Sequence, residues 1–281
     1  MALQPAVPVR RWSAPPVLTA SFGLHALAAA SIAVAPDTWP WALGAIALNH
    51  AGLTAAGLWP RSRLLGPNLT RLPAPAAERR QFALTLDDGP DAEITPRVLD
   101  LLDRHGVRAT FFCIAQRAAQ HPVLVRDIVA RGHDVQNHSH AHRHNFSLSG
   151  PGALRREIER AQQVLAELTG QVPHCFRAPA GLRNPFLDPV LHRLGLHLVS
   201  WTRRGFDTVT PDPQRVLARL THGMAPGDIV LLHDGHARRA PNGQPVVLEV
   251  LPRLLAHASQ LKLHATTLRA AVPPRAQEPA R

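Results

Sequence analysis

Cysteine is nearly absent: Cys113 and Cys175 are the two in 281 residues, too few for a disulfide framework or a cysteine-ligated zinc site. Each sits inside an apolar run, where a free buried thiol is expected. Lysine is scarcer still, with Lys262 alone, so arginine carries the formal net charge of +11. No nucleic-acid-binding motif and no interleaving of aromatic and basic residues accompanies that charge, which argues against a nucleic-acid partner. The excess fits attraction to an anionic lipid surface or a phosphate-bearing glycolipid, with Arg61, Arg63, Arg71, Arg79 and Arg80 grouped just after an apolar N-terminal region. No internal repeat is evident.

Charge is missing from two early stretches, 17–35 and 39–59, which contain no Lys, Arg or Glu and are rich in Ala, Leu and Gly. Each approaches the roughly 20 residues needed to cross a bilayer. Pro36-Asp37-Thr38 makes a short polar turn between them, and Trp39, Trp41 and Trp59 stand where interfacial aromatics belong. Residues 1–60 are therefore expected to form a membrane anchor of two transmembrane helices, against the alternative of a buried hairpin in a soluble domain suggested by His25, Asn49 and His50. Arg10 and Arg11 precede the pair, Arg61 and Arg63 follow it, and the turn carries no basic residue. The positive-inside rule then places both ends, and everything after them, on the cytoplasmic side of the inner membrane. Arg10-Arg11 before Ala28-Ala29-Ala30 also suits a cleaved signal peptide, but a second long apolar segment so soon afterwards argues against simple secretion. Residues 61–80 read as a linker, 81–272 as one domain large enough to bury a substantial core, and 273–281 as a disordered tail.

What the domain does contain is a carboxylate pair and a histidine pair. Thr85-Leu86-Asp87-Asp88-Gly89-Pro90 ends an apolar run in two acids before a turn. Successive strand side chains point to opposite faces, so Asp87 and Asp88 converge only where the strand ends. One carboxylate can then hold a cation while its neighbour accepts a proton. Asn137-His138-Ser139-His140-Ala141-His142 brings imidazoles at i and i+4, which share a face if the segment coils. Two histidines and one aspartate leave coordination positions open, as a catalytic site requires. His140 and His144 have the same spacing, and His133 lies nearby, so spacing alone does not choose the pair.

Short apolar runs at 82–86, 109–114, 133–136, 174–177, 197–201 and 229–232 alternate with helical patterns at 95–105, 122–131, 152–168, 185–194, 212–220 and 246–262. In the clearest, Leu154, Ile158, Ala161, Leu165 and Leu168 form one stripe. Alternating strands and helices predict a parallel sheet, open or closed into a barrel. The candidate chemical residues follow the C-terminal ends of the runs, where parallel α/β barrels build their sites.

Downstream lie Arg177-Ala178-Pro179-Ala180-Gly181, Leu198-Val199-Ser200-Trp201 running into Arg203, Arg204 and Asp207, and Leu231-Leu232-His233-Asp234. With the two motifs above, this order resembles the NodB-type polysaccharide deacetylases, the family 4 carbohydrate esterases, over roughly residues 81–268. The resemblance implies a distorted parallel (β/α) barrel of about seven strands, with a plain doubly wound sheet as the alternative. It selects Asp88, His138 and His142 as ligands of a divalent metal, zinc first and cobalt or nickel next, and makes Asp87 the general base with Arg177 beside it. It makes His233 the general acid. The implied reaction is hydrolysis of an N-acetyl group on an amino sugar of a polysaccharide or lipid-linked glycan. Deformylation of a polyprenyl-phosphate-linked amino sugar, or an inactive carbohydrate-binding relative, are the alternatives. Two departures stand out. The Asp-x-x-Asp-Trp segment of many members is replaced by 201–207, leaving Asp207 as the candidate to tune His233, and Ala180 stands where an aromatic is frequent.

Overall fold

The computed structural model describes residues 11–275. Arg10, and the part of the expected tail beyond Arg275, lie outside the described residues. Two apolar helices, α1 (Pro16–Val34) and α2 (Trp39–Leu58), are joined by a 3-10 turn at Pro36–Thr38 into a hairpin. Proline in the first turn opens each helix, where its missing N–H costs nothing. Among the described helices α1 alone is both long and apolar enough to cross a membrane, which gives it the character of an anchor or a signal sequence. The hairpin turns its apolar side chains outward, with Phe22 72% and Trp41 83% exposed, so it is not the buried hairpin of a soluble core. Its polar side chains meet between the helices instead: Asn49 Nδ2 donates to Ser21 Oγ at 2.8 Å and His25 Nε2 lies 3.2 Å from His50 Nε2.

The rest of the chain runs α3 (Ala74–Glu78), β1 (Gln81–Asp87), α4 (Ile94–Arg104), β2 (Thr110–Cys113), α5 (Ala115–Gln120), α6 (Pro122–Ala130) and β3 (Asp134–Asn137). It continues through α7 (Pro151–Thr169), β4 (Cys175–Phe176), α8 (Leu187–Arg193), β5 (His197–Leu198), β6 (Arg203–Arg204) and α9 (Pro213–Thr221). It closes with β7 (Ile229–His233), α10 (Val246–Gln260), β8 (His264–Thr266) and α11 (Leu268–Ala271). The strands are parallel in the order β5-β4-β3-β2-β1-β7-β6, with β8 beside the start of β1. This is the curled α/β half-barrel of seven strands that the motif order implies.

Alternation along the strands explains both faces. Phe82, Leu84 and Leu86 of β1 join Val230 and Leu232 of β7 in the core against the helices. Ala83, Phe112, Ile229 and Leu231 fill the barrel interior. The same period carries Asp87 and His233, each two residues beyond an interior position, to the interior at the C-terminal rim. The stripe on α7 is buried at Leu154, Ile158, Ala161 and Leu165, and the helix stops at Gly170, whose left-handed φ of 69° suits glycine.

Residues 61–80 are largely irregular yet packed. Leu65, Leu72 and Ala76 are buried. Leu69 bridges to Val199 and Arg71 to Asp228, so this segment plugs the gap between the end of β5 and the start of β7. A free tether would make none of these contacts.

Candidate metal and catalytic centre

Asp87 and His233 are register partners on the adjacent strands β1 and β7. Behind them Arg177, just past β4, is fully buried across the barrel floor. Its Nη1 donates to Asp87 Oδ1 at 2.5 Å and to Thr85 Oγ1 at 2.9 Å, while Nη2 reaches Ser200 O at 3.0 Å. The guanidinium stacks 4.1 Å over the Phe112 ring. Asp87 Oδ1 is thereby engaged, and Oδ2 faces His138 Nε2 at 3.8 Å.

Asp88 leaves the strand with a φ of 71°, which swings its carboxylate round to the same site. Its Oδ1 lies 3.2 Å from His138 Nε2 and 3.2 Å from His142 Nε2. The two histidines do not share a helix face. They are brought together by a loop in which Ser139 (φ 67°) and His142 (φ 49°) are left-handed. Asn137 shapes it by accepting the Ser139 amide at 2.8 Å, and Ser139 Oγ accepts the His142 amide at 3.0 Å. Burial pushes the pKa of Asp88 up, but the neighbouring imidazoles override it and hold the group well below the usual carboxylate range. His142 is pushed down to about 4 by burial and by His138. His133 sits at the other end of β3, accepting the Ala109 amide on Nδ1. Among the described residues one cluster of His, Cys, Asp and Glu has metal-binding spacing, and it is Asp88, His138 and His142; His140 and His144 are not in it.

His233 is turned by Asp207. Its Nδ1 and its amide lie 2.8 Å from Asp207 Oδ1 and Oδ2, and Asp207 is fully buried. Burial opposes a charge on the ring, yet Asp207, with Asp87 and Asp88 beyond it, pushes His233 up to about 9.

A family model for polysaccharide deacetylase matches residues 74–199. A chitooligosaccharide deacetylase of Bradyrhizobium sp. is 37% identical over 158 residues, 56% of this chain and 72% of that protein. The chain belongs to the polysaccharide deacetylase family. A peptidoglycan-N-acetylglucosamine deacetylase of Listeria monocytogenes is 33% identical over 165 residues, 59% of this chain and 34% of that longer protein. The family 4 acetyl xylan esterase of Clostridium thermocellum, solved with a cobalt ion, superposes with a TM-score of 0.61 at 29% identity, covering 68% of this chain and 89% of that one. With the deacetylase model and the N-acetylglucosamine and chitooligosaccharide deacetylases as its matches, this chain is a hydrolase of carbon–nitrogen bonds other than peptide bonds.

Against the usual deacetylase pattern, the structure shows what stands at the altered positions. Asp207 comes from the loop after β6, not from an Asp-Trp motif, while Trp201 is buried beneath Gly181. Ala180 is exposed, with a φ of 54°. Two further residues escaped sequence reading. Arg117 Nη1 donates to the Asp88 carbonyl at 2.8 Å, and its Nη2 lies 2.6 Å from His236 Nε2. His236 Nδ1 is 3.5 Å from Asp88 Oδ2. Neither lies in a recognisable motif; their meeting is a product of the tertiary fold.

The donor set fits a divalent cation. His138 Nδ1 donates to the Arg177 carbonyl at 2.8 Å, which leaves Nε2 of the neutral ring a lone pair. That lone pair faces Asp88 Oδ1, a buried oxygen without a hydrogen-bond partner. Two acceptors at contact distance repel unless positive charge lies between them.

Proposed function

We propose that this deacetylase hydrolyses an N-acetyl group on an amino sugar of a polysaccharide or lipid-linked glycan, releasing acetate and a free amine. The observation that carries the reading is the unpartnered Asp88 Oδ1 between the Nε2 atoms of His138 and His142, beside the Asp87–His233 pair. These three residues would hold a divalent ion, zinc first and cobalt or nickel next, and the Clostridium thermocellum relative with its cobalt supports a divalent ion in this fold. When bound, the ion supplies a Lewis acid that acidifies water and polarises the acyl carbonyl.

The chain's own groups divide the proton work. Asp87 Oδ1 is tied to Arg177, so Oδ2 takes the proton from the attacking water as its oxygen bonds to the acyl carbon. His233 gives the Nδ1 side of its ring to Asp207, which aims Nε2 at the departing nitrogen. With its acidity shifted to about 9, the ring is an imidazolium at neutral pH, and it protonates the amine as the carbon–nitrogen bond breaks. An amine leaves poorly without that proton.

We further propose that α2, though less apolar than α1, crosses beside it, so that the hairpin anchors the enzyme in the inner membrane with the catalytic domain on the cytoplasmic side. Its outward apolar side chains, with the Ser21–Asn49 and His25–His50 contacts linking the two helices, suit lipid surroundings better than water. The domain boundaries follow from this: an anchor to residue 60, a packed connector to residue 80 and the catalytic domain from 81 to 272.

The test is to incubate the full chain in detergent, with zinc, cobalt or nickel added, with N-acetylated chito-oligosaccharides and lipid-linked N-acetylamino sugars. Release of acetate supports the reading. Formate alone from the N-formyl counterparts would assign deformylation instead, and neither product from any of them contradicts hydrolysis.

A further inference from the structure

The turns that follow β1, β2 and β7 meet at Asp88. The Asp234 and Gly235 amides donate to Asp87 O at 3.2 and 3.3 Å, and the Ile114 amide donates to Gly89 O at 3.0 Å. A Cβ on Gly235 would strike the Asp88 carbonyl oxygen and Arg117 Nη1, so only glycine lets the turn after β7 lie this close. From this junction Arg117 of α5 and His236 of the turn after β7 converge on the residue that ends β1.

Asp88 is held there at two points. Arg117 Nη1 donates to its carbonyl oxygen at 2.8 Å, which fixes the peptide that leaves its left-handed backbone. Arg117 Nη2 donates to His236 Nε2 at 2.6 Å. A guanidinium has no acceptor to offer, so Nε2 is the accepting nitrogen and the ring proton sits on Nδ1. Nδ1 lies 3.5 Å from Asp88 Oδ2, the single hydrogen bond that this oxygen receives among the described residues. The two carboxylate oxygens are thereby divided. Oδ2 goes to His236, and Oδ1, without a hydrogen-bond partner, faces the Nε2 atoms of His138 and His142.

Packing does not account for His236. Its side chain is 56% exposed and its backbone has a left-handed φ of 59°, an unfavourable conformation for a residue with a Cβ. The ring is not a ligand in this arrangement either: with a proton on Nδ1 and Arg117 on Nε2, it has no lone pair left for a cation. We propose that Arg117 and His236 are positioning residues that restrict Asp88 to one ligating oxygen, Arg117 keeping the ring proton on Nδ1 and that N–H occupying Asp88 Oδ2. The proposal rests on the metal-dependent deacetylase reading and assigns two residues to the support of its centre. A freed Oδ2 could turn onto the same ion and take a position that water and the acyl oxygen need.

The experiment compares His236→Asn with His236→Gln in the full chain in detergent, by zinc titration calorimetry and by the visible spectrum of bound cobalt. The Asn amide nitrogen is attached where Nδ1 is, at Cγ, whereas the Gln amide lies one carbon further out. His236→Gln is expected to weaken zinc binding about tenfold or more and to alter the cobalt spectrum, while His236→Asn keeps both close to native. Asparagine also tolerates a left-handed backbone, and melting curves of the metal-free proteins separate that benefit from the metal-dependent one. Arg117→Met should weaken zinc binding by a similar factor. Native affinity and spectrum in His236→Gln would overturn the proposal, as would equal losses in the Asn and Gln variants, which would put the imidazole itself on the ion. Native affinity in Arg117→Met would overturn the arginine's part. No zinc bound by the native chain would overturn the metal reading instead.

Discussion

Asp207 accepts both the amide and the Nδ1 proton of His233, each at 2.8 Å. This grip fixes the ring and stabilises its charged form, moving His233 from 6.5 to about 9. Because the shift is upward, the acid form is present below that value and is lost as pH rises through it. The rate should therefore hold through neutrality and fall on an alkaline limb near 9. In Asp207→Asn the limb should move down toward the ordinary imidazole range, with kcat lowered on the order of tenfold or more. A kcat/KM profile against pH for both proteins checks this, and an unmoved limb would remove Asp207 from the role.

Ligand identity separates the histidines. Replacing His138 or His142 by Ala should cost on the order of a hundredfold in zinc affinity, while His140→Ala, outside the cluster, should bind normally. Titration calorimetry of each variant decides it, and loss confined to His140→Ala would move the site. Dialysis against a chelator should abolish turnover, and added zinc or cobalt should restore it.

Arg177 serves fold and site together. Arg177→Met leaves Asp87 without its partner in the barrel interior and strips donors from Thr85 Oγ1 and the Ser200 carbonyl. Breaking a buried pair from one side costs about 3–5 kcal/mol, so the melting temperature should drop well below that of the native chain. Arg177→Lys should recover little, since one ammonium cannot span those three acceptors. A melting curve within a degree of the native one would contradict this role.

A methyl group on Gly57 would collide with the Arg183 carbonyl. Gly57→Ala should cost about 1–3 kcal/mol of packing and disturb the loop that carries Arg177. Lower activity with unchanged zinc affinity is the expected signature. Unchanged melting and activity would show that the hairpin root is not rigidly joined to the rim.

Most strands and helices were legible because their apolar periods are strong: the pattern at 246–262 became α10 (Val246–Gln260) and that at 122–131 became α6 (Pro122–Ala130). Arg203–Arg204 escaped notice since a two-residue strand of arginines has no apolar alternation, and its place is set by pairing with Val230 and Leu231. The plug made by Leu69 and Arg71 was hidden for a similar reason: single bridges leave no periodicity in a proline-rich stretch. Within the site, Asp87, Asp88, His138, His142, Arg177 and His233 stood in motifs. The Asp207 contact did not, and neither did His236 with Arg117, which meets Asp88 only because the turn after β7 crosses the end of β1. The conformation of the histidine loop was not legible: the sequence offers a shared face only if the segment coils, and left-handed Ser139 and His142 bring the two rings together instead.

The most direct test of the centre is anomalous diffraction at the zinc or cobalt edge from crystals of the metal-loaded protein. A single strong peak bonded to Nε2 of His138, Nε2 of His142 and a carboxylate oxygen of Asp88, with Asp87 and His233 on either side of its open face, is the predicted result. A peak held by other residues, or no peak at a concentration that saturates activity, would contradict the account.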